Sequence, residues 1–328
     1  MTMAGDPLIA SHSVSTPESA DFLADVLAGL SSSPHTLPCK YFYDERGAEL
    51  FQKICEQPEY YVTRTEIDIL DRNRADIASQ LGPKIELIGL GTGAGTKTRI
   101  LIEALDDPAV YIPVDISEKQ LRESTPVFQK TFPNVEILPV CADYLQRVVL
   151  PSPRHNAARK IVYFPGSTIG NFDPDEAVEF LRRISNVCCG GGGLLIGVDL
   201  KKDRQTLEAA YNDQAGVTAQ FNLNLLERIN RELGADFDLS HWHHEAIYNL
   251  KAGRIEMHLI SDGDQFVHIN EHRFHFSRGD NIITEFSYKY APEEFATLAD
   301  KSGFEFVQMW TDDARLFGLF YFLCAKGQ

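Results

Sequence analysis

The chain is short of positive charge. Its 328 residues hold 31 Lys and Arg against 47 Asp and Glu, a formal net charge of −16. Proteins that grip phosphates draw affinity from Lys and Arg, so this deficit argues against nucleic acid and against anionic lipid as partners. Long hydrophobic runs are missing as well; none approaches the ~18 residues of a membrane-spanning helix. Cysteine is sparse and unpatterned. Cys39, Cys55, Cys141, Cys188, Cys189 and Cys324 include no Cys-x-x-Cys pair, which argues against a zinc ribbon or thioredoxin-type motif and fits reduced thiols in a cytoplasmic protein. Met1 to Ser15 has no basic start followed by an apolar core, so a signal peptide is not expected, and a mobile tail is. Internal repeats and low-complexity segments are absent. No metal is expected: His241-Trp242-His243-His244 lacks a nearby acidic or cysteine partner pattern.

What is present suits a globular protein with a small-molecule partner. The chain is 44% hydrophobic and 24% charged, and its length permits a sizeable core in one large domain or two. Ser15-Thr16-Pro17-Glu18 reads as a capped helix start, followed by Phe22, Leu23, Val26, Leu27 and Leu30 at helical spacing. An aromatic stretch, Lys40-Tyr41-Phe42-Tyr43-Asp44, leads into an amphipathic run through Leu50, Phe51 and Ile54, and Tyr60-Tyr61 forms a second aromatic cluster. A helix is expected over residues 63–80.

From Ile85 the rhythm changes. Short apolar runs at 85–90, 110–114, 135–140, 160–164 and 194–200 alternate with helical patterns at 97–105, 118–131 and 175–187. This alternation predicts βαβ units and a parallel sheet covered on both faces. Helices are then expected at 206–211 and 217–233. Alternating runs follow at 254–260, 265–269 and 273–276, with Asp262-Gly263-Asp264 as a hairpin turn. A helix at 292–302 and strands at 305–310 and 317–325 close the chain. The expected class is α/β, a doubly wound sheet interrupted by an α+β insertion. The expected division is a core of residues 64–200 and 288–328, a discontinuous second domain of 16–63 and 201–287, and the tail 1–15.

The strongest local signal is Gly89-Leu90-Gly91-Thr92-Gly93-Ala94-Gly95, between a strand and a helix. Glycines allow a sharp turn and close approach of a ligand, and the amides at the helix start favour polar or anionic groups. Asp115 ends the next strand, where a carboxylate can accept from ribose hydroxyls or cap the segment at Ser117. Asp143-Tyr144 ends the third strand, placing an acceptor and an aromatic face for a purine. Two cofactor fingerprints fit the loop: a dinucleotide pattern through Gly89, Gly91 and Ala94, and the pattern of class I methyltransferases through Gly91, Gly93 and Gly95. The helix and two strands that end the chain suit the antiparallel final hairpin of the second. After the fourth strand, the small-residue loop from Phe164 to Phe172 ends with Asn171, whose amide both donates and accepts.

Taken together, these segments resemble the histidine Nα-methyltransferases of ergothioneine biosynthesis. The resemblance rests on Lys40-Tyr41-Phe42-Tyr43-Asp44, Pro58-Glu59-Tyr60-Tyr61, Thr63-Arg64-Thr65-Glu66, Lys97-Thr98-Arg99 and Gly166-Ser167-Thr168-Ile169-Gly170-Asn171. It continues through Ala210-Tyr211-Asn212-Asp213, Ala215-Gly216-Val217-Thr218, Arg254-Ile255-Glu256-Met257 and Thr284-Glu285-Phe286-Ser287. It implies a class I, Rossmann-like methyltransferase fold with S-adenosylmethionine as methyl donor and L-histidine as substrate. Methylation of the α-amine up to three times would give hercynine. Gly91, Gly93, Lys97, Asp115, Asp143 and Tyr144 would bind the cofactor. Asn171 and Tyr211 would take the substrate carboxylate, Glu285 and Ser287 the imidazole, and Met257 would line the ring pocket. Tyr60 and Thr168 would also bind substrate, and Tyr43 would lie near the amine as the catalytic residue. A monomer is expected.

The residue chemistry agrees with that implication. Glu285 and Ser287 lie two apart on a run that reads as a strand, so they share a face. A carboxylate accepts an imidazole N–H, and a hydroxyl serves the other ring nitrogen. One departure stands out: the resembled family often has an acid immediately before the Gly-rich loop, where this chain has Gly89. Glu86, three residues earlier, is no simple substitute. The alternatives are a same-fold N-methyltransferase for another amino acid, such as a tryptophan derivative, and a dinucleotide-binding or non-catalytic protein.

Overall fold

The computed structural model describes residues 19–146, 148–188 and 190–325. The expected helix start at Ser15–Glu18, the expected tail and Cys189 lie outside these residues.

The main sheet has eight strands. Its order across the sheet is Phe304–Thr311, Phe317–Cys324, Gly193–Asp199, Arg159–Phe164, Ile85–Leu90, Val110–Asp115 and Glu136–Ile137, with Val140–Cys141 also pairing with Val110–Asp115. The interior strands run parallel. Phe317–Cys324 enters antiparallel between Gly193–Asp199 and Phe304–Thr311. Ile85–Leu90, Val110–Asp115 and Gly193–Asp199 are buried at every position, as unbroken apolar strands require when helices cover both faces. The expected strand at 135–140 is two short pieces. Pro139 lies between them and has no N–H to offer the ladder. The expected helix at 63–80 is two helices, Tyr61–Arg72 and Arg74–Leu81, broken at Asn73.

A second sheet of four strands is ordered His35–Thr36, Asn281–Tyr288, Arg254–Ser261 and Trp242–Asn249. Trp242–Asn249 carries the histidine-rich segment. His243 Nδ1 lies 2.8 Å from Asp262, and His244 bridges the Tyr211 carbonyl and the Asn222 amide, each at 2.8 Å. Among the described residues no group of three or more His, Cys, Asp or Glu is placed to hold a metal. The turn at Asp262-Gly263-Asp264 is not the hairpin expected there. Gln265–Ile269 pairs instead with His272–Phe276 in a separate two-stranded sheet. The tight turn is at Asn270, whose φ of 52° suits asparagine.

One contiguous apolar cluster links the two sheets. It runs from Leu87, Ile161 and Leu195 of the first to Met257, Leu259 and Ile282 of the second. Gly170 marks one close approach between them. A Cβ there would sit 2.7 Å from the Tyr288 carbonyl oxygen, so the loop after Arg159–Phe164 lies directly against Asn281–Tyr288. Among the described residues no helix is long and apolar enough to cross a membrane.

Candidate active site

The meeting of loop and strand forms one side of a cavity. Its lining includes Tyr43, Tyr60, Thr168, Asn171, Tyr211, Met257, Glu285 and Ser287, so all eight residues singled out for catalysis or substrate come together. Phe51, Ile54, Gly166, Ser167, Ala210, Thr218 and Phe221 complete it.

Local structure explains the placement. Asp44 caps the helix Glu45–Cys55 by accepting from the Gly47 amide at 2.7 Å, and this fixes Tyr43 immediately before the helix. The Tyr43 ring meets Phe51 and Phe221 edge-on, at 5.7 and 5.8 Å between centroids. Tyr60 stands at the start of Tyr61–Arg72, edge-on to Tyr211 at 6.3 Å. Glu285 follows a bulge: Ile283 pairs with His258 and Glu285 with Met257, so Thr284 is the extra residue. Bulges re-aim side chains beside functional sites. Thr284 anchors this one by donating to Asn222 Oδ1 at 2.7 Å.

Glu285 is the carboxylate of the cavity lining. Burial pushes its carboxyl up to about 7, opposed by the charge of Lys289. Burial, and then the Glu285 charge, push Cys39 up to about 12, and Tyr43, 40% exposed overall, is raised by desolvation on its cavity side and by the same charge. The Asn171 amide reaches Cys39 Sγ at 3.9 Å. Tyr43 and Tyr60 therefore stay protonated at neutral pH and act as hydroxyls, not as strong bases.

Behind Ser287 lies a buried ionic network with no counterpart in the sequence reading. Lys289 donates to Ser287 Oγ at 2.8 Å, to Tyr211 Oη at 2.9 Å and to Asp199 Oδ2 at 2.8 Å. Asp199 also accepts from Tyr61 and Lys202, and its backbone amide donates to Ser167 Oγ at 2.9 Å. These charges hold the Asp199 carboxyl below its ordinary range, while burial pulls Lys202 down to about 8. The sequence carried one trace of this network: Lys289 continues the Glu285-x-Ser287 alternation.

The cofactor candidates gather at the ends of the first strands. Gly91, Gly93 and Gly95 all have positive φ, 58°, 53° and 75°, and a Cβ on Gly91 would come within 3.3 Å of the Tyr144 ring. Asp115 accepts from the Gly93 amide at 3.0 Å and the Ser117 amide at 2.9 Å. Ser117, not Asp115, caps the helix Glu118–Thr131. Asp143 accepts from the Leu145 amide at 2.8 Å. Lys97 pairs with Glu66, a fully buried carboxylate that also accepts from the Gly166 amide at 2.9 Å and the Tyr163 hydroxyl at 3.2 Å. An acid at Gly89 would not fit this arrangement, because a Cβ there meets the Thr92 methyl at 2.4 Å and Tyr111 at 3.2 Å. The loop, the acids and the aromatic face together fit a nucleoside-bearing cofactor with an amino-acid tail: side-chain-free backbone, acceptors for hydroxyls and a cation.

Comparison with known proteins points the same way. A family model described as a SAM-dependent, histidine-specific methyltransferase matches residues 22–324. The histidine N-alpha-methyltransferase of Mycolicibacterium smegmatis is 40% identical over 301 residues, covering 90% of this chain and 92% of that protein. Ergothioneine biosynthesis protein 1 of Neurospora crassa is 33% identical over 285 residues, 85% of this chain and 32% of the fungal one. A 4-dimethylallyltryptophan N-methyltransferase of Claviceps purpurea is 28% identical, with 88% and 90% covered.

Proposed function

The chain belongs to the SAM-dependent, histidine-specific methyltransferases, and from that premise we propose that it methylates the α-amine of L-histidine, up to three times. The product is hercynine, on the route to ergothioneine. The observation that carries the substrate is the pairing of Glu285 and Ser287 on one face of a strand, both lining the cavity that Tyr43, Tyr60 and Asn171 complete.

We assign the cofactor to Gly91, Gly93, Lys97, Asp115, Asp143 and Tyr144. S-adenosylmethionine supplies, when bound, a methyl group already activated on a sulfonium. The protein's task is therefore alignment of the amine, which must arrive neutral. Tyr43 first orients the amine through its hydroxyl, and its second role is to relay the amine's proton by way of water. Asn171 and Tyr211 serve the carboxylate end, with Tyr60 and Thr168 beside the substrate. Glu285 and Ser287 hold the imidazole over Met257. Residues 64–200 and 288–328 carry the cofactor, and 16–63 and 201–287 carry most of the substrate contacts. The proposal extends to a cytoplasmic monomer.

A tryptophan derivative is the second reading, favoured by the similarity to the Claviceps enzyme. An indole has one ring N–H and no bare nitrogen, so it leaves either Glu285 or the Ser287 side unpaired. Sites built to hydrogen-bond a substrate reject analogues lacking those groups by as much as ~10⁴-fold. Mass spectrometry after incubation with S-adenosylmethionine and a panel of amino acids decides between them. Histidine should gain one, two and three methyl groups; a preference for another amino acid overturns the assignment.

A further inference from the structure

Lys289 is fully buried and belongs to no group that transfers a methyl or binds the cofactor. Its ammonium has three hydrogens and meets three acceptors: Asp199, Ser287 and Tyr211. Ser287 Oγ and Tyr211 Oη also lie 2.9 Å apart, so one hydroxyl donates to the other. The pair owns two hydroxyl protons. One lies between the two oxygens, and neither points at Lys289, which only donates. One O–H is therefore left for the cavity that both side chains line.

Either oxygen can donate across that contact in the free protein; with substrate bound, the carboxylate takes the Tyr211 proton and the Tyr211 oxygen accepts from Lys289. Ser287 already accepts from Lys289 and keeps its own proton for the cavity, so it faces the ring as a donor. Glu285 faces the same space as an acceptor, without a hydrogen-bond partner among the described residues. We propose that Lys289 is a positioning residue that fixes this polarity and so makes the site take histidine with a neutral imidazole. The ring N–H turns to Glu285 and the bare nitrogen to Ser287.

The other charged and titratable groups around the ring site are Glu285, Tyr43, Tyr60, Tyr211 and Cys39, with Asp199, Lys202 and Tyr61 behind Lys289. Glu285 alone would draw a cationic ring. Lys289, on the far side of Ser287, opposes it, because a second cation would have to share the oxygen that already accepts from the ammonium. Tyr211 serves the carboxylate end by donating its own proton, with the Lys289 ammonium held on its oxygen. The inference rests on histidine being the substrate.

The test is nitrogen NMR of ring-labelled histidine bound with S-adenosylhomocysteine at pH 7.5, above the value of about 7 to which burial raises Glu285, so that its carboxylate is ionised and can accept. In the wild-type protein one ring nitrogen should remain bare; two protonated nitrogens overturn the proposal. Lys289→Met should protonate both at the same pH and raise the histidine KM about 10- to 100-fold, as loss of a charged hydrogen-bond donor does, with the KM for S-adenosylmethionine unchanged. A ring state and a KM equal to wild type overturn it too. Should Lys289→Met not fold, Lys289→Gln removes the charge while keeping a neutral donor, Asp199 stays paired with Lys202, and the wild-type spectrum still decides. Absence of histidine binding to the wild-type complex would instead sink the substrate assignment itself.

Discussion

Glu285 sits where its charge is disfavoured, and this gives the free protein a pH signature. Its carboxyl titrates at about 7 in the fold, against an ordinary 4.5. Between those values the native state keeps a proton that the unfolded chain has lost, so stability falls as pH rises through the window. Glu285→Gln removes the penalty. Calorimetry should find the variant's Tm advantage over wild type growing from pH 5 to pH 8; an advantage equal at both would contradict the shift. The same variant should weaken histidine binding about 10- to 100-fold, the worth of a charged hydrogen bond, while titration calorimetry with S-adenosylmethionine is unchanged. Equal loss of both ligands would contradict the assignment of Glu285 to the substrate. Strand alternation made Glu285 and Ser287 legible in the sequence. It did not reveal Lys289 as buried, because lysine is almost never fully buried unless paired, and its partner Asp199 comes from the other sheet.

Among the elements, the strand Asn281–Tyr288 depends on its bulge. Thr284→Val keeps the shape but strips the donor from Asn222, leaving a buried acceptor unsatisfied at a cost of about 1–3 kcal/mol. Both a lower Tm and a several-fold higher histidine KM are expected; a lower Tm with KM intact would show that the bulge does not aim Glu285. In the Gly-rich turn, Gly95→Ala places a Cβ 2.5 Å from the Phe128 ring at a φ of 75°. Strain of about 1–3 kcal/mol is expected, with cofactor affinity falling further than histidine affinity in equilibrium binding. Most elements were readable because their periodicity is clean: Glu118–Thr131 and Val217–Leu233 fall where the sequence places them. Trp242–Asn249 was not, since its run of histidines masks the alternation. The bulge was not either, because nothing in Ile283-Thr284-Glu285 distinguishes an extra residue from a paired one.

Across the whole molecule, the apolar cluster shared by both sheets implies a single unfolding unit. The two tryptophans report on it separately, Trp242 from the second sheet and Trp310 from the edge of the first. Single-tryptophan variants, Trp310→Phe and Trp242→Phe, should melt with coincident midpoints in urea; separate transitions would contradict the shared core. The sequence showed both halves but not how they join, since the join is Gly170 against Tyr288 and Lys289 against Asp199, contacts more than 80 residues apart in the chain. A second joint is smaller still. Glu66 Oε2 receives both the Lys97 ammonium and the Gly166 amide, so the helix beside the Gly-rich turn and the loop carrying Thr168 and Asn171 hang from a single oxygen atom. If one ligand's arrival settles that atom, the other finds it settled. Heterotropic cooperativity of this kind is reciprocal: histidine must raise the affinity for S-adenosylmethionine by the same factor that S-adenosylmethionine raises the affinity for histidine, whichever arrives first.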